Sequence, residues 1–139
     1  MRIFLDANIL FSAAKSAGAV CQLLEMLVSQ RHVLCANAYV VTEARRNLSA
    51  KAPAESLRVL DELLARIEVS ATKIIGFDEG IASWLPEKDR PVLVAAMNLK
   101  CDVLVTGDTT HFGAGFGKSF DGVVIYSPRL LADAALLRG

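Results

Sequence analysis

The stretch DVLVTGD, residues 102–108, decides the fold class. Its apolar centre does not alternate with polar residues, which is typical of a strand that is covered on both faces. The run GVVIYS at residues 122–127 has the same character, and RIFLD at 2–6 and HVLCA at 32–36 also predict short strands. Strands of this kind belong to parallel sheets, because the connections between parallel strands place helices over both faces of the sheet.

Between these strands, apolar residues recur at the spacing of an α-helix. The predicted helices cover residues 19–30, 38–50, 54–67, 90–100 and 128–137, and Asn37 and Asp89 are expected to cap the second and the fourth of them. Residues 68–75, EVSATKII, predict a short strand or an extended loop. The alternation of strands and helices indicates a three-layer α/β/α sandwich around a central parallel sheet. We expect a single domain over residues 1–139, because the chain is short and contains no linker.

The charge balance of the chain limits its function. Lys and Arg together number 15, Asp and Glu together also number 15, and the net charge is zero. A protein that coats nucleic acid without specificity normally carries a basic excess. Any contact with nucleic acid therefore requires a local basic patch. Hydrophobic residues make up 53% of the chain, which indicates a covered core and excludes disorder.

Cysteine usage and apolar patterning bear on where the protein resides. Cys21, Cys35 and Cys101 form no CxxC pair and lie in apolar runs, so buried reduced thiols are expected. The apolar N-terminus is interrupted by Asp6 and Asn8 too early for a signal peptide. No run is long enough to predict a membrane span. These features predict a cytoplasmic protein that does not contact a membrane.

The glycine-rich stretch HFGAGFGKS, residues 111–119, ends in the GKS triplet of a phosphate-binding loop. Phe112 stands where the first glycine of such a loop is required. The residues that follow, FDGVVIYS, predict a strand, whereas a phosphate-binding loop leads into a helix. The stretch is therefore interpreted as a mobile surface connection and not as a nucleotide site.

Four carboxylates are expected at one edge of the predicted sheet. Asp6 ends the first strand and Asp108 directly follows the stretch VLVTG, while Asp89 opens a helix and Glu43 lies in the helix after the second strand. The carboxyl ends of parallel strands form the ligand crevice of an open sheet, so these side chains should meet there. Each acid taken singly also fits a helix cap, a turn former or a solvated charge.

A group of carboxylates needs a cation. Two carboxylates about 5 Å apart repel by roughly 3 kcal/mol at an effective dielectric constant of about 20. Oxygen ligands without histidine or cysteine suit Mg²⁺ or Mn²⁺ and not zinc. An ion held by these acids can lower the pKa of a bound water and stabilise the leaving oxygen of a phosphodiester. The grouping therefore predicts metal-dependent phosphodiester hydrolysis.

Four motifs resemble the signatures of PIN-domain ribonucleases in order and in spacing: FLDANIL at 4–10, TEARRNL at 42–48, KDRPVLVAA at 88–96 and DVLVTGDTTHF at 102–112. The resemblance covers nearly the whole chain and is especially close to the bacterial branch that includes toxins of toxin–antitoxin pairs. It implies a Rossmann-like sheet, cleavage of single-stranded or looped RNA, and a Mg²⁺ or Mn²⁺ site built by Asp6, Glu43, Asp89 and Asp108. It also implies an antitoxin as a protein partner, and a homodimer.

The resemblance gives roles to neighbouring polar residues. Asn8 lies two residues after the first aspartate and Thr106 two residues before the last one, and both would orient ligands or waters. Glu87 and Asp102 are alternative acids to Asp89, although Asp102 is better placed to cap a helix or a turn.

The basic residues of the second motif have two interpretations. Arg45, Arg46 and Lys51 follow Glu43 in the sequence. They would contact the RNA backbone beside the metal site, or they would form a solvated helix face. His111 lies close to Asp108 but lacks a second histidine or a cysteine at zinc-ligand spacing, so a structural role is expected for it.

Two other functions compete with this interpretation. A phosphatase of the haloacid dehalogenase type also begins with a strand that ends in aspartate, but it requires a second aspartate where this chain has Asn8. An amide cannot serve as the general acid of that reaction, which excludes this class. The non-enzymatic alternative is a PIN-like scaffold that binds RNA or a protein partner without cleavage.

Overall fold

The computed structural model of the protein describes residues 1–71 and 79–136. Its strands are β1 (Arg2–Leu5), β2 (Val33–Asn37), β3 (Glu68–Ser70), β4 (Val103–Val105), β5 (Ser119–Phe120) and β6 (Val123–Tyr126). They form one sheet in the order β3-β2-β1-β4-β6-β5. All neighbouring strands run parallel except β5 and β6. The predicted α/β sandwich with a central, mostly parallel sheet is therefore confirmed.

The helices are α1 (Ala7–Lys15), α2 (Ala19–Ser29), α3 (Ala38–Lys51), α4 (Glu55–Leu64), α5 (Arg90–Asn98), α6 (Thr109–Phe112) and α7 (Pro128–Leu136), with 3-10 turns at Glu79–Ala82 and Gly113–Gly115. The predicted cap of α3 is present, because Asn37 Oδ1 accepts a hydrogen bond from Val40 N at 3.1 Å. Asp89 occupies the cap position of α5, but its side chain makes no capping hydrogen bond. That side chain remains available for other contacts.

Helix α1 was missed by the sequence patterns. Asp6 caps it, and its buried residues contact the core from a position between α2, α3 and α4. The strand and the helix are joined by a single residue, so the apolar run of β1 continues into the buried face of α1 without a turn signal. A boundary of this kind is visible only once the aspartate is recognised as an N-cap.

The register of the two central strands places their carboxyl ends side by side. Leu5 lies opposite Val105, and the next backbone N–H, that of Asp6, donates to Val105 O at 3.1 Å. Strand β4 is buried throughout and β1 is buried at every residue but Arg2, as their lack of alternation predicted. Strand β6 alternates buried and half-buried residues, so the same prediction for it is wrong. The residues that follow β1 and β4, Asp6 and Thr106, therefore emerge at the same edge.

The glycine-rich stretch differs in part from the prediction. Gly115 is buried, and a Cβ at this position would approach Trp84 Cη2 to 2.5 Å, so the stretch is not a surface connection throughout. The predicted strand GVVIYS is present as β6, but residues 119–120 form a separate short strand, β5, which was not predicted. Asp121 and Gly122 both have positive φ, 51° and 86°, and they reverse the chain between β5 and β6. Lys118 leads into a strand and not a helix, so no phosphate-binding loop is formed here.

Two smaller predictions have mixed outcomes. Cys35 and Cys101 are buried free thiols as expected, whereas Cys21 is only partly buried. In the ambiguous stretch EVSATKII, residues 68–70 form the edge strand β3, and residues 72–75 lie outside the described residues.

No single helix in the described ranges is long and apolar enough to cross a membrane; α1 and α2 meet that test only as a pair bent by 105°.

Candidate functional site

Asp6 is the buried anchor of a polar site at the carboxyl edge of β1 and β4. Only 5% of the surface of Asp6 is exposed. One carboxylate oxygen, Oδ1, accepts a hydrogen bond from Ala7 N at 2.7 Å and so caps α1. The other, Oδ2, accepts a hydrogen bond from Thr106 Oγ1 at 2.8 Å. The side chain is therefore held from both sides by the elements that follow the two central strands.

Asn8 and Thr106 connect the two strand ends. The Asn8 amide nitrogen donates to Asp6 Oδ2 and to Thr106 Oγ1, both at 3.2 Å, and its Oδ1 accepts from Gly107 N at 2.8 Å. Thr106 Oγ1 accepts a further hydrogen bond from Asp108 N at 3.1 Å. The loop after β4 is thus fixed to the first turn of α1, and the position of Asp108 depends on that of Asp6.

Two other acids lie close enough to Asp6 to affect its pKa. Burial raises this pKa from 3.8 to about 6, although the hydrogen bonds from Thr106 and Ala7 oppose the rise. The charges of Glu43 and Asp89 raise the pKa further. Two acids that the sequence separates widely from Asp6 therefore act on it through space.

Asp89, Asp108 and His111 form a compact group beside Asp6. Asp108 Oδ1 caps α6 by accepting from His111 N at 3.0 Å. The His111 Nδ1 atom lies 2.8 Å from Asp108 Oδ2 and 3.0 Å from Asp89 Oδ2. One ligand atom from each of the three residues lies within 4.8 Å of the others. This spacing would allow the three side chains to hold one ion.

Two atoms of this group are not satisfied by the protein. Asp89 Oδ2 and His111 Nδ1 are buried, and among the described residues neither has a partner that meets hydrogen-bond geometry, despite their short separation. Burial raises the pKa of Asp89, and the charge of Asp108 adds to the rise, while His111 and Lys88 lower it. A buried carboxylate oxygen without an aligned hydrogen-bond donor, in a field of like charges, favours the entry of a cation.

Glu43 approaches the group from α3. It lies at the wall of an open groove of about 590 Å³ that is also lined by Ala38, Tyr39, Thr42, Arg46 and Lys88. Tyr39 Oη donates a hydrogen bond to Lys88 O at 2.7 Å, which links α3 to the residue preceding Asp89. Glu43 is not part of the compact group, and neither is Asp6. The four predicted acids therefore face one region, with Asp89 and Asp108 in closest contact.

The three basic residues considered for RNA contact are in different environments. Arg45 Nη2 lies 2.6 Å from Asp61 Oδ1, so this side chain is directed to α4. Arg46 lines the groove beside Glu43. Lys51 is exposed at the last residue of α3, about two turns beyond Glu43. Only Arg46 of the three lines the groove.

The structure removes Asp102 from the site and adds one residue to it. Asp102 Oδ2 accepts from Arg2 N at 2.8 Å, at the opposite edge of the sheet, and does not cap a helix. Glu87 is exposed. His111, for which a structural role was expected, contacts both Asp89 and Asp108. Its spacing of three residues from the N-cap Asp108 is the signal that could have predicted this contact.

Comparison with known protein families shows which family the chain belongs to. Residues 2–110 match the family model of the PIN domain. The chain belongs to the PIN domain family. The resemblance predicted from the four motifs is therefore confirmed. No curated protein sequence matches the chain significantly.

Solved structures of similar fold come from several bacteria. VapBC2 from Rickettsia felis, bound to a DNA fragment from their promoter, has a TM-score of 0.63 and 17% identity, and covers 91% of this chain and 98% of its own. VapBC-1 from nontypeable Haemophilus influenzae has a TM-score of 0.59 and 18% identity, covering 93% and 99%. FitAcB from Neisseria gonorrhoeae has a TM-score of 0.59 and 20% identity, covering 91% and 98%. At these identities the similarity shows that this PIN domain shares their fold.

Proposed function

We propose that this PIN-domain protein is a divalent-metal-dependent endoribonuclease that hydrolyses phosphodiester bonds of single-stranded or looped RNA. The proposal rests on one observation above all, the contact of the acids at 89 and 108 beside the buried Asp6. These acids come from separate parts of the chain, and their mutual repulsion is costly unless a cation is bound. Membership of the PIN domain family supports the same activity.

The donor set fits Mg²⁺ or Mn²⁺. Asp6, Glu43, Asp89 and Asp108 offer carboxylate oxygens, which outnumber the single imidazole of His111, and no cysteine lies in the compact group. Asp89 Oδ2, which has no aligned hydrogen-bond donor among the described residues, is available to an ion. When bound, the ion would supply a water of lowered pKa and stabilise charge on the phosphodiester oxygens.

The remaining polar residues position this site. Thr106 and Asn8 hold Asp6 Oδ2 by hydrogen bonds, so the carboxylate cannot rotate freely. The same hydroxyl accepts from Asp108 N and fixes the start of α6. Burial of Asp6 excludes bulk water from one side of the site. These contacts maintain the arrangement of the acids before substrate arrives, which is the pre-organisation that electrostatic catalysis requires.

Cleavage of a labelled single-stranded RNA by purified protein with Mn²⁺ tests the proposal. We expect activity that EDTA abolishes and that falls at least 100-fold in Asp6→Asn and Asp108→Asn. Asp121→Asn is the matched control, because it removes the same charge at an exposed turn with positive φ, which asparagine tolerates. Equal RNA binding without cleavage in the unmodified protein would instead establish a non-catalytic PIN-like scaffold.

We further propose that the protein is the toxin of a toxin–antitoxin pair in the cytoplasm, with an antitoxin as partner and a homodimer as its own assembly. The resemblance of the motifs supports this, and the similar folds include VapBC and FitAB proteins. Induced expression should arrest growth, and co-expression of the neighbouring open reading frame should relieve the arrest. Harmless expression of a protein that cleaves RNA in vitro would refute the toxin assignment and leave the nuclease intact.

A further inference from the structure

The open groove beside Glu43 has the features of a strand-binding surface. We name it the Tyr39 groove, lined by Ala38, Tyr39, Thr42, Glu43, Arg46 and Lys88. Its volume of about 590 Å³ lies within the range of small-ligand sites, about 300–1,000 Å³. Glu43, one of the proposed metal-binding acids, lines the groove, so the groove adjoins the proposed metal site. An RNA strand that is cleaved at these acids extends beyond them and needs a neighbouring surface to lie on.

The spacing of the groove residues on α3 is regular. Tyr39, Thr42, Glu43 and Arg46 are separated by three, one and three residues, so they lie on one face of the helix. This face carries an aromatic ring at one end, an acid of the site in the middle and a cation at the other end. Lys88 faces it from the segment before α5. An exposed ring and two cations along one groove match the bases and phosphates of a single strand.

Tyr39 is an exposed aromatic residue on a mostly polar surface. Tyr39 has an exposed fraction of 44%, and its hydroxyl donates a hydrogen bond to Lys88 O at 2.7 Å. Fixing the hydroxyl restricts the rotation of the ring and leaves the rest of it to solvent. A ring held in this way offers a stacking surface at low entropic cost.

Among the described residues the two cations of the groove form no close ion pair, although Lys88 acts on the charge of the adjacent Asp89. In the described part of the chain, neither Arg46 nor Lys88 lies within ion-pair distance of a carboxylate, whereas the neighbouring Arg45 is paired with Asp61. Burial raises the pKa of Tyr39, and the charge of Arg46 opposes the rise, so the two groove residues lie within electrostatic reach of each other. Cations that remain unpaired beside an acidic site are suited to phosphate groups.

We propose that the Tyr39 groove binds the single-stranded RNA segment next to the cleaved bond, with a base stacked on Tyr39 and phosphates bound by Arg46 and Lys88. This inference rests on the proposed ribonuclease function, since it names a subsite for that substrate. It assigns to Tyr39 a binding role and not a chemical one. It also explains how a chain without net charge can bind RNA, because only the groove needs to be basic.

Binding is measured without metal, so that the test does not depend on cleavage. A short single-stranded RNA with 2-aminopurine at successive positions is titrated with protein in EDTA at low salt, by anisotropy and by base fluorescence. Tyr39→Phe retains the ring and should bind within about twofold of the unmodified protein. Tyr39→Leu retains apolar bulk without a ring and should bind on the order of 10-fold more weakly, with loss of 2-aminopurine quenching. Thermal unfolding of each variant verifies that the fold is retained.

The phosphate contact is tested by salt dependence. Arg46→Gln should weaken binding and reduce the slope of log K against log salt by about 0.7, the value for one single-strand phosphate. Arg45→Gln is the matched control, because the same charge is removed from a side chain that already pairs with Asp61, and its slope should not change.

The outcomes distinguish a failure of the groove assignment from a failure of the proposed ribonuclease activity. The groove assignment is overturned if no RNA binds, if Tyr39→Leu binds as the unmodified protein does, or if Tyr39→Phe loses as much as Tyr39→Leu. Ring-dependent binding combined with no Mn²⁺-dependent cleavage would refute the nuclease and support the groove. With Mn²⁺ present, cleavage by Tyr39→Leu should show a raised KM and a kcat within about threefold of the unmodified protein.

Discussion

Thr106 Oγ1 donates a hydrogen bond to Asp6 Oδ2 at 2.8 Å, and the two residues are 100 positions apart in the chain. Both follow directly on neighbouring parallel strands, β4 and β1. Thr106 has no exposed surface, so this hydroxyl is a buried polar group whose partners are all provided by the protein. The contact fixes the distance between the two strand ends that carry the proposed ligands Asp6 and Asp108.

Removal of the Thr106 hydroxyl should lower the stability of the fold. Thr106→Val keeps the shape of the side chain but leaves Asp108 N without its partner and Asp6 Oδ2 with only the Asn8 amide, so we expect the free energy of unfolding to fall by about 1–3 kcal/mol. Thr106→Ser retains the hydroxyl and should lose less than about 1.5 kcal/mol. Urea unfolding at pH 7.5 measures both. An equal loss in the two variants would show that the methyl group, and not the hydroxyl, stabilises this site.

The raised pKa of Asp6 predicts how stability depends on pH in EDTA. The folded pKa of about 6 exceeds the unfolded value of 3.8, so the folded state binds the proton more tightly. The resulting stabilisation is present below pH 3.8 and is lost as pH rises through 6, by about 3 kcal/mol in total. We expect the difference in unfolding free energy between Asp6→Asn and the unmodified protein to grow in favour of the variant over this range. Asp121→Asn should show no such growth, and a constant difference for Asp6→Asn would contradict the assignment.

Metal binding should reverse this loss of stability. A cation bound only by the folded state stabilises it by about 2.7 kcal/mol when its concentration is 100 times Kd. We therefore expect Mn²⁺ to raise the melting temperature at pH 7.5 and EDTA to restore the original value. Asp108→Asn should respond much less, because it removes one acid of the compact group. Differential scanning calorimetry with Asp121→Asn as control measures the effect, and an equal rise in all three proteins would place the ion elsewhere.

The glycines of the 3-10 turn offer a matched test of packing. A Cβ at Gly115 would lie 2.5 Å from Trp84 Cη2 and 3.2 Å from Ile125 Cδ1. Gly115→Ala should therefore cost about 1–3 kcal/mol of unfolding free energy. It should also change the fluorescence of Trp84, which is the single tryptophan of the chain and stacks on Phe120.

Gly113→Ala is the control for this packing test. A Cβ at Gly113 meets no atom within 4 Å, and the backbone is helical there, with φ of −55°. We expect this variant to be as stable as the unmodified protein or slightly more so, by up to about 1 kcal/mol. Similar destabilisation by both substitutions would mean that the effect does not come from contact with Trp84.

The sequence by itself determined the central strands of the sheet and the positions of the candidate acids relative to them. Uninterrupted apolar runs predicted the buried strands β1 and β4, and Asp6 and Asp108 follow these runs directly. The cap at Asn37 was predicted for the same reason, because strand ends and caps depend on residues within a few positions of each other. Local signals of this kind do not require knowledge of the fold.

Only the tertiary structure decided which side chains meet. The sequence does not show that Arg45 pairs with Asp61 while Arg46 remains in the groove, because this depends on how α4 packs against α3. It likewise does not show that His111 bridges two acids or that Tyr39 is tied to the residue before Asp89. Hydrogen bonds and ion pairs of this type join positions far apart in the chain, and their partners are fixed by the packing of helices on the sheet.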